Sequence, residues 1–241
     1  MNRTDILNLI ARRIRARTYL EIGVREPTAN FNWIDVKGKT WVDPKGPEND
    51  DRGYRVMSAD FFQGLDREPE AVSYDLIFID GDHRYQGVKY DIHHAMKYLS
   101  PGGVLVLHDV LPLSPKEGAA DKPSGYKGAW CGEVWRAWSE LRAWGYSNGH
   151  VTYVVDCDHG VGVVYGDADH DIDGTIGEID DSGEYRAPWI DRSSYGVVIP
   201  AHAEREINAI PRPRWPKPAA DVETEHADAD NDQWPTGDQY E

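Results

Sequence analysis

The first 166 residues alternate between strand-like and helix-like hydrophobic patterns. Two nearly continuous apolar runs, at residues 74–80 and 104–109, are typical of strands covered on both faces. Between them, apolar residues spaced by three or four predict a helix over residues 84–99. Shorter strands are predicted at 18–23, 40–43, 151–155 and 161–165, with a weaker one at 55–57. Further helices are predicted at 5–16, with Thr4 as N-cap, and at 132–144.

The order of these elements predicts an α/β fold. Strands that alternate with helices form a mostly parallel sheet with helices on both faces. Residues 158–160 (DHG) form a tight turn between the last two strands, so the chain closes with an antiparallel hairpin near one edge. Ligands of such sheets bind at the carboxyl ends of the strands, and in this sequence polar residues follow several of those ends.

Charge divides the chain into three parts. The 241 residues carry a net charge of −16, but residues 1–166 account for only −3 and residues 167–241 for −13. We therefore expect a folded domain over 1–166 and an acidic extension with prolines and aromatic residues over 167–220. Residues 221–241 hold eight acidic groups and no Lys or Arg, which is typical of a disordered tail.

The composition also excludes several classes of protein. A broadly acidic chain lacks the basic footprint that nucleic-acid binding requires. No apolar run approaches the roughly 20 residues of a membrane span, and four arginines between residues 12 and 17 interrupt any signal-peptide core. Two cysteines, Cys131 and Cys157, do not make a disulfide framework, so we expect small buried side chains and a cytoplasmic protein.

Several sequence segments resemble one enzyme family. These are YLEIGV at 19–24, VDP at 42–44, DLIFIDGDHRYQGVKYDI at 75–92 and LSPGGVLVLHDV at 99–110, followed by WCGEVWRAW and VDCDHGVGVV. Together they resemble the class I S-adenosylmethionine-dependent methyltransferases, and most closely the methyltransferase-24 branch, over about residues 17–166. The resemblance implies a Rossmann-like fold and S-adenosylmethionine as cofactor.

The resemblance implies a cofactor site at the first strand ends. Glu21 would fix the ammonium group of the cofactor, Asp43 would accept both ribose hydroxyls and Asp60 would contact the adenine ring, with Asp80 beside them. Gly23 would let the backbone approach the ligand. Each residue also has a structural alternative: a turn glycine after an acidic strand end, a solvated turn aspartate, or an N-cap for Asp60. The loop after Gly23 departs from the family because it lacks further glycines.

The chemistry is expected at the next two strand ends. In the metal-dependent members that the sequence resembles, Asp80 would bind a divalent cation together with His108 and Asp109. Mg²⁺ prefers oxygen ligands, so His108 suits a softer ion better, and a metal-free site remains open. His83 is the expected base, with His108 as the alternative and a structural role open for both histidines.

These features predict O-methylation of a small hydroxylated acceptor, with or without a divalent cation. A sugar is favoured because Trp130, beside a lid-like loop at 111–128, could stack on it. A homo-oligomer is compatible with this function. One alternative is a metal-dependent hydrolase that uses the cluster of Asp80, Asp82, His83, His108 and Asp109. The other is a catalytically silent protein that keeps the fold and recruits a basic partner through its acidic tail.

Overall fold

A computed structural model describes residues 1–67, 72–166, 187–189, 191–213 and 215. In this part of the chain, eight strands form one sheet in the order β3-β2-β1-β4-β5-β7-β6-β8. The strands are β1 (Thr18–Ile22), β2 (Gly38–Val42), β3 (Gly53–Tyr54), β4 (Tyr74–Ile79), β5 (Leu99–Leu107), β6 (Val151–Val155), β7 (Val161–Tyr165) and β8 (Val197–Val198). The helices are α1 (Arg3–Ile14), α2 (Ser58–Leu65), α3 (Tyr85–Lys97), α4 (Val134–Ser147) and α5 (Pro200–Ala209).

The sheet is parallel from β3 to β5. β7 runs antiparallel to both β5 and β6, and β8 pairs parallel with β6. All six residues of β4 are buried, because helices cover both faces of the sheet centre. The predicted fold class, a mostly parallel sheet that includes an antiparallel hairpin, is confirmed.

Two hydrophobic cores lie on opposite faces of the sheet. One contains apolar side chains of α2, α3 and α4, together with Leu20 and Ile22 of β1. The other contains apolar side chains of α1 and α5, together with Tyr19. Successive residues of a strand point to opposite faces, so β1 contributes to both cores.

Three local predictions need correction. Asn2, not Thr4, caps α1: its side chain accepts from the Asp5 amide while Asp5 accepts from the Asn2 amide, a capping box. The strand predicted at 55–57 is wrong, because the pairing ends at Tyr54 and Met57 is already the N-cap residue of α2. β5 begins at Leu99 rather than 104, and a register shift opposite β4 accommodates the Pro-Gly-Gly segment at 101–103.

The described part of the acidic extension packs onto the domain. β8 extends the sheet beyond β6, and Ile207 of α5 is buried in the same core as α1. Arg13 Nε donates to the Ile210 carbonyl at 2.7 Å, and Trp215 Nε1 donates to the Ile14 carbonyl at 2.7 Å. The tail predicted as disordered, 221–241, lies outside the described residues.

Candidate active site

A cavity of about 930 Å³ opens at the carboxyl ends of β1, β2 and β4, where the parallel architecture predicts a site. Its walls come from the loops after these three strands, the start of α2, and residues 128–130. The polar and aromatic residues that line the cavity include Arg3, Asp43, Ser58, Asp80, His83, Asp91 and Trp130.

Gly23 lets the ends of β1 and β4 lie close together. Its φ of +92° is left-handed, and a Cβ there would overlap the backbone carbonyl oxygen of Asp80. The close approach that requires glycine is therefore between β1 and β4 themselves, and not only towards a ligand as the sequence predicts. Asp80 N donates to Ile22 O at 2.8 Å across the same junction.

Asp43 lines the cavity and shapes its rim. Its Oδ2 accepts from the Arg25 amide at 2.9 Å, and its Oδ1 accepts from the Lys45 amide at 2.7 Å. One carboxylate therefore fixes both the loop after β1 and the loop after β2. Each oxygen keeps a second lone pair, so the group can still accept hydrogen bonds from a ligand.

Two predicted cofactor residues lie outside the cavity lining. Glu21 is buried on the α1 face of the sheet, where Tyr19 Oη and Asn30 Nδ2 donate to its Oε2 at 2.7 and 3.0 Å. Burial raises its pKa to about 7. Asp60 is exposed in the first turn of α2, and its neighbours Met57 and Ser58 line the cavity instead.

Asp80 and His83 line the other end of the cavity, whereas Asp109, which lies beside His83, and His108 are outside the lining. His83 Nε2 lies 3.5 Å from Asp80 Oδ1, and His83 Nδ1 lies 3.6 Å from Asp109 Oδ2. One donor atom from each of the three residues falls within 4.8 Å of the others, a spacing that can hold a metal ion. Burial alone would raise the pKa of Asp80, but His108 and His83 hold it well below its usual range.

His108 is buried between carboxylates. Its Nδ1 lies 3.3 Å from Asp80 Oδ1 and 3.4 Å from Asp109 Oδ1, and its Nε2 lies 3.4 Å from Asp158 Oδ2. Burial lowers the pKa of His108, but the three carboxylates outweigh burial and raise it well above its ordinary value. The structure brings donor atoms of Asp80, His83 and Asp109 within 4.8 Å of one another, so His83 joins the predicted His108 as a candidate nitrogen ligand.

Comparison with known proteins finds one family match in the chain. Residues 20–110 match the methyltransferase-24 family model, described as a methyltransferase domain. Residues 20–110 are a methyltransferase domain. The match and the sheet order confirm the resemblance that the sequence motifs predict. No curated protein sequence matches the chain.

Solved structures that are similar to this chain include two O-methyltransferases. One, from Bacillus cereus in complex with SAH, is 19% identical over 68% of this chain and 82% of that chain, with a TM-score of 0.47. The other, TomG from Streptomyces achromogenes in complex with SAM, is involved in tomaymycin synthesis. It is 18% identical over 68% of this chain and 79% of that chain, with a TM-score of 0.48. At these values, the substrates of those proteins do not transfer to this chain.

Sequence reasoning misses several residues that lie in or beside the cavity. Asp91 of α3 lines the cavity although it is only 2% exposed, and burial raises its pKa to about 7. Gly132 and Glu133 lie against the His83 backbone, and Glu133 N donates to His83 O at 2.7 Å. The sequence held a signal for Asp91, because this residue lies on the helix predicted directly after the DGDH motif at 80–83. No local pattern places Gly132 beside His83.

The loop predicted as a lid is tied to the segment that follows it. Trp130 Nε1 donates to Ala119 O at 2.8 Å, and the amides of Cys131 and Gly132 both donate to Glu117 O. Trp130 also stacks on His83, with ring centroids 5.3 Å apart.

None of the helices in the described ranges combines the length and the apolar character needed to cross a membrane.

Proposed function

We propose that this protein transfers a methyl group from S-adenosylmethionine to a hydroxyl group of a small acceptor such as a sugar. The observation that carries the proposal is one cavity lined by Asp43 at the β2 end and by Asp80 and His83 after β4, with Asp109 in contact with His83. Methyl transfer from a sulfonium is an in-line displacement, so the protein must bind both reactants side by side and manage one proton.

Asp43 supports nucleoside binding. Its two oxygens face the cavity rim while backbone amides hold them in place, so two ribose hydroxyls can donate to a carboxylate that is already oriented. A carboxylate at the end of the second strand is a common ribose ligand in this class of fold. The acceptor would then lie next to Asp80 and His83, at the other end of the same cavity.

His83 is the group that best fits the role of base. Its Nδ1 lies 3.2 Å from the Trp130 carbonyl oxygen and its Nε2 lies 3.5 Å from Asp80 Oδ1, so a neutral His83 that donates from Nδ1 offers Nε2 as the basic nitrogen. Burial lowers the pKa of His83, but Asp80 and Asp109 raise it overall. The same two carboxylates stabilise the imidazolium that forms when Nε2 takes the proton of the acceptor hydroxyl.

Asp80, His83 and Asp109 also fit a divalent cation. Two carboxylates and one imidazole are ligands that first-row metals accept, and Asp80 and Asp109 could hold Mg²⁺ through oxygen alone. A bound cation would lower the pKa of the acceptor hydroxyl. The two roles of His83 compete, because a nitrogen that binds a metal cannot also take the proton. Metal dependence therefore separates the two mechanisms.

Trp130 supports a cyclic, hydroxylated acceptor. Its indole ring lines the cavity beside His83, and its Nε1 is engaged by Ala119, so the ring is held in a fixed orientation. His83 stacks on one face of the ring, so a sugar would pack its apolar face on the part of the ring that His83 leaves uncovered. The proposed location is the cytoplasm, a reducing compartment that suits the free thiols of Cys131 and Cys157.

Calorimetry of the full chain with S-adenosylhomocysteine tests the cofactor, with Mg²⁺ or EDTA present. Incubation with S-adenosylmethionine and a panel of sugars then tests transfer, as a product mass increase of one methyl group. Binding with mass transfer supports the proposal. Cleavage of esters without nucleoside binding would indicate a hydrolase, and neither activity would indicate a silent binding protein.

Replacement of Asp109 by asparagine tests the catalytic corner. Asp109 has a φ of +59°, which asparagine tolerates, so the backbone should keep its path. We expect Asp109→Asn to lower turnover by about 10²-fold or more, with nucleoside affinity within about threefold of wild type. Asp35→Asn, an exposed change outside the cavity, is the matched control. Full turnover in Asp109→Asn would contradict the role of this strand end.

A further inference from the structure

A second cluster of metal-binding side chains in the described part of the chain consists of Asp109, Cys131 and His159. A carboxylate oxygen, a thiol sulfur and a ring nitrogen, one from each residue, lie within 4.8 Å of one another. Asp109 and Cys131 are buried, whereas His159 is exposed, so the cluster extends from the core to the surface. An ion from solvent can therefore reach it from the His159 side.

Backbone contacts hold the three donor residues near one another. The Leu111 amide donates to the His159 carbonyl oxygen at 2.8 Å, which joins the end of β5 to the turn between β6 and β7. Cys131 N donates to Glu117 O at 2.9 Å, which fixes the segment just before α4. Asp109 and His159 have φ values of +59° and +62°, a backbone conformation that is uncommon outside glycine and that packing must maintain. The fold itself thus brings the donors together.

The spacing of the three donor atoms suits a small divalent ion. Atoms within 4.8 Å of one another leave a central point that is at most about 2.8 Å from each of them. Bonds from Zn²⁺ to oxygen, nitrogen or sulfur are about 2.0–2.3 Å long. Each donor therefore has to move inward by less than about 1 Å, and the exposed His159 ring has room to make the largest movement.

The types of donor select the ion. A thiolate and an imidazole favour Zn²⁺, whereas Mg²⁺ prefers oxygen ligands. The Cys131 thiol loses its proton to solvent when the ion binds, as coordinating thiols do. Three protein ligands then leave one position of a zinc tetrahedron for water. The neighbouring cluster of Asp80, His83 and Asp109 offers no sulfur, so a thiol-dependent signal distinguishes the two clusters.

We propose that Asp109, Cys131 and His159 form a binding site for Zn²⁺. The site shares Asp109 with the catalytic corner, and Asp109 Oδ2 lies 3.6 Å from His83 Nδ1. An ion held by Cys131 and His159 is thus one carboxylate away from the proposed base. It also ties the end of β5, the segment before α4 and the turn between β6 and β7 to one another.

Co²⁺ is the probe for this site, because a thiolate bound to Co²⁺ produces a charge-transfer band in the near ultraviolet. The full chain is treated with EDTA, desalted and titrated with Co²⁺. We expect the band to appear in wild type, to disappear on addition of Zn²⁺ and to persist in excess Mg²⁺. Cys131→Ser, with its fold checked by circular dichroism, should lack the band. His159→Gln, an exposed change, should weaken Co²⁺ binding by at least about tenfold, since even residues that only support a ligand contribute that much.

Cys157→Ser is the matched control, because Cys157 is a free cysteine outside the cluster. His83→Gln removes the nitrogen donor of the neighbouring cluster, and both variants should keep the band. Absence of the band in wild type, its persistence in Cys131→Ser, its loss in Cys157→Ser or unchanged Co²⁺ affinity in His159→Gln would overturn the proposal. The titration contains no nucleoside, so its outcome is independent of the proposed methyl transfer.

Discussion

At the scale of single residues, Glu21 shows how the direction of a side chain decides its role. The sequence places it at a strand end, where a cofactor contact is expected. Residues two apart on a strand share a face, so Glu21 follows Tyr19 towards α1 and away from the cavity. Its carboxylate then accepts from Tyr19 and Asn30 in a buried environment that favours the neutral form, which raises its pKa.

The raised pKa of Glu21 makes stability depend on pH. The ordinary pKa is 4.5 and the folded pKa about 7, so the stabilisation is complete below about pH 4.5 and is lost as pH rises to about 7. Glu21→Gln removes the titration and keeps an acceptor for Tyr19. We expect it to be more stable than wild type at pH 8, by about 1–3 kcal/mol, with the difference shrinking towards pH 4.5.

Urea unfolding at pH 5 and pH 8 measures this difference in the free energy of unfolding. Glu204→Gln, an exposed change on α5, should alter neither value by more than about 0.5 kcal/mol. A stability difference between Glu21→Gln and wild type that is the same at both pH values would show that Glu21 does not titrate in this range.

At the scale of elements, the entry to α4 positions the catalytic corner. Gly132 has a φ of +60°, and a Cβ there would overlap the His83 carbonyl oxygen. Next to it, Glu133 N donates to that oxygen, and Glu133 Oε2 accepts from the Tyr85 amide at the start of α3. The loop after β4 and the start of α4 are thereby locked together with His83 between them.

Gly132→Ala should therefore damage catalysis more than cofactor binding. The substitution combines a left-handed backbone with a steric overlap, at a cost of about 1–3 kcal/mol in stability, and it pushes His83 from its position. We expect turnover to fall by at least about tenfold, with S-adenosylhomocysteine affinity nearly unchanged. Turnover and calorimetric titration of the same preparation give the two values.

Gly64→Ala is the matched control for this change. Gly64 lies inside α2, and a Cβ there meets no atom within 4 Å. Alanine should raise stability by up to about 1 kcal/mol and leave turnover intact. If Gly132→Ala keeps wild-type turnover, the contact between Gly132 and His83 does not position the base.

At the scale of the whole molecule, the described part of the extension completes the fold. Tyr195, Ile207 and Ile210 are each at most 2% exposed, and β8 covers what would otherwise be the open edge of β6. The sequence predicts a folded domain over 1–166, and residues of the extension contribute side chains to both of its cores.

A chain ending at residue 166 should therefore be less stable than one ending at residue 216. Loss of the three buried side chains alone removes about 5 kcal/mol of burial, and the exposed β6 edge can pair with other chains. We expect the shorter chain to melt at lower temperature and to aggregate, as measured by thermal unfolding and light scattering. Equal melting temperatures would contradict a structural role for residues 187–215.

The sequence by itself determined the elements of the central sheet, its mostly parallel topology and the carboxylate–histidine cluster at the strand ends. Apolar runs and helical spacing are local patterns, and parallel strands necessarily bring their carboxyl ends together. Tertiary structure alone decided that Glu21 turns away from the cavity, that Arg3 lines it, and that His83 and His108 both lie beside Asp80 and Asp109. These outcomes depend on contacts between segments up to 155 positions apart, as in the pair of Arg3 and Asp158, and no local pattern carries such contacts.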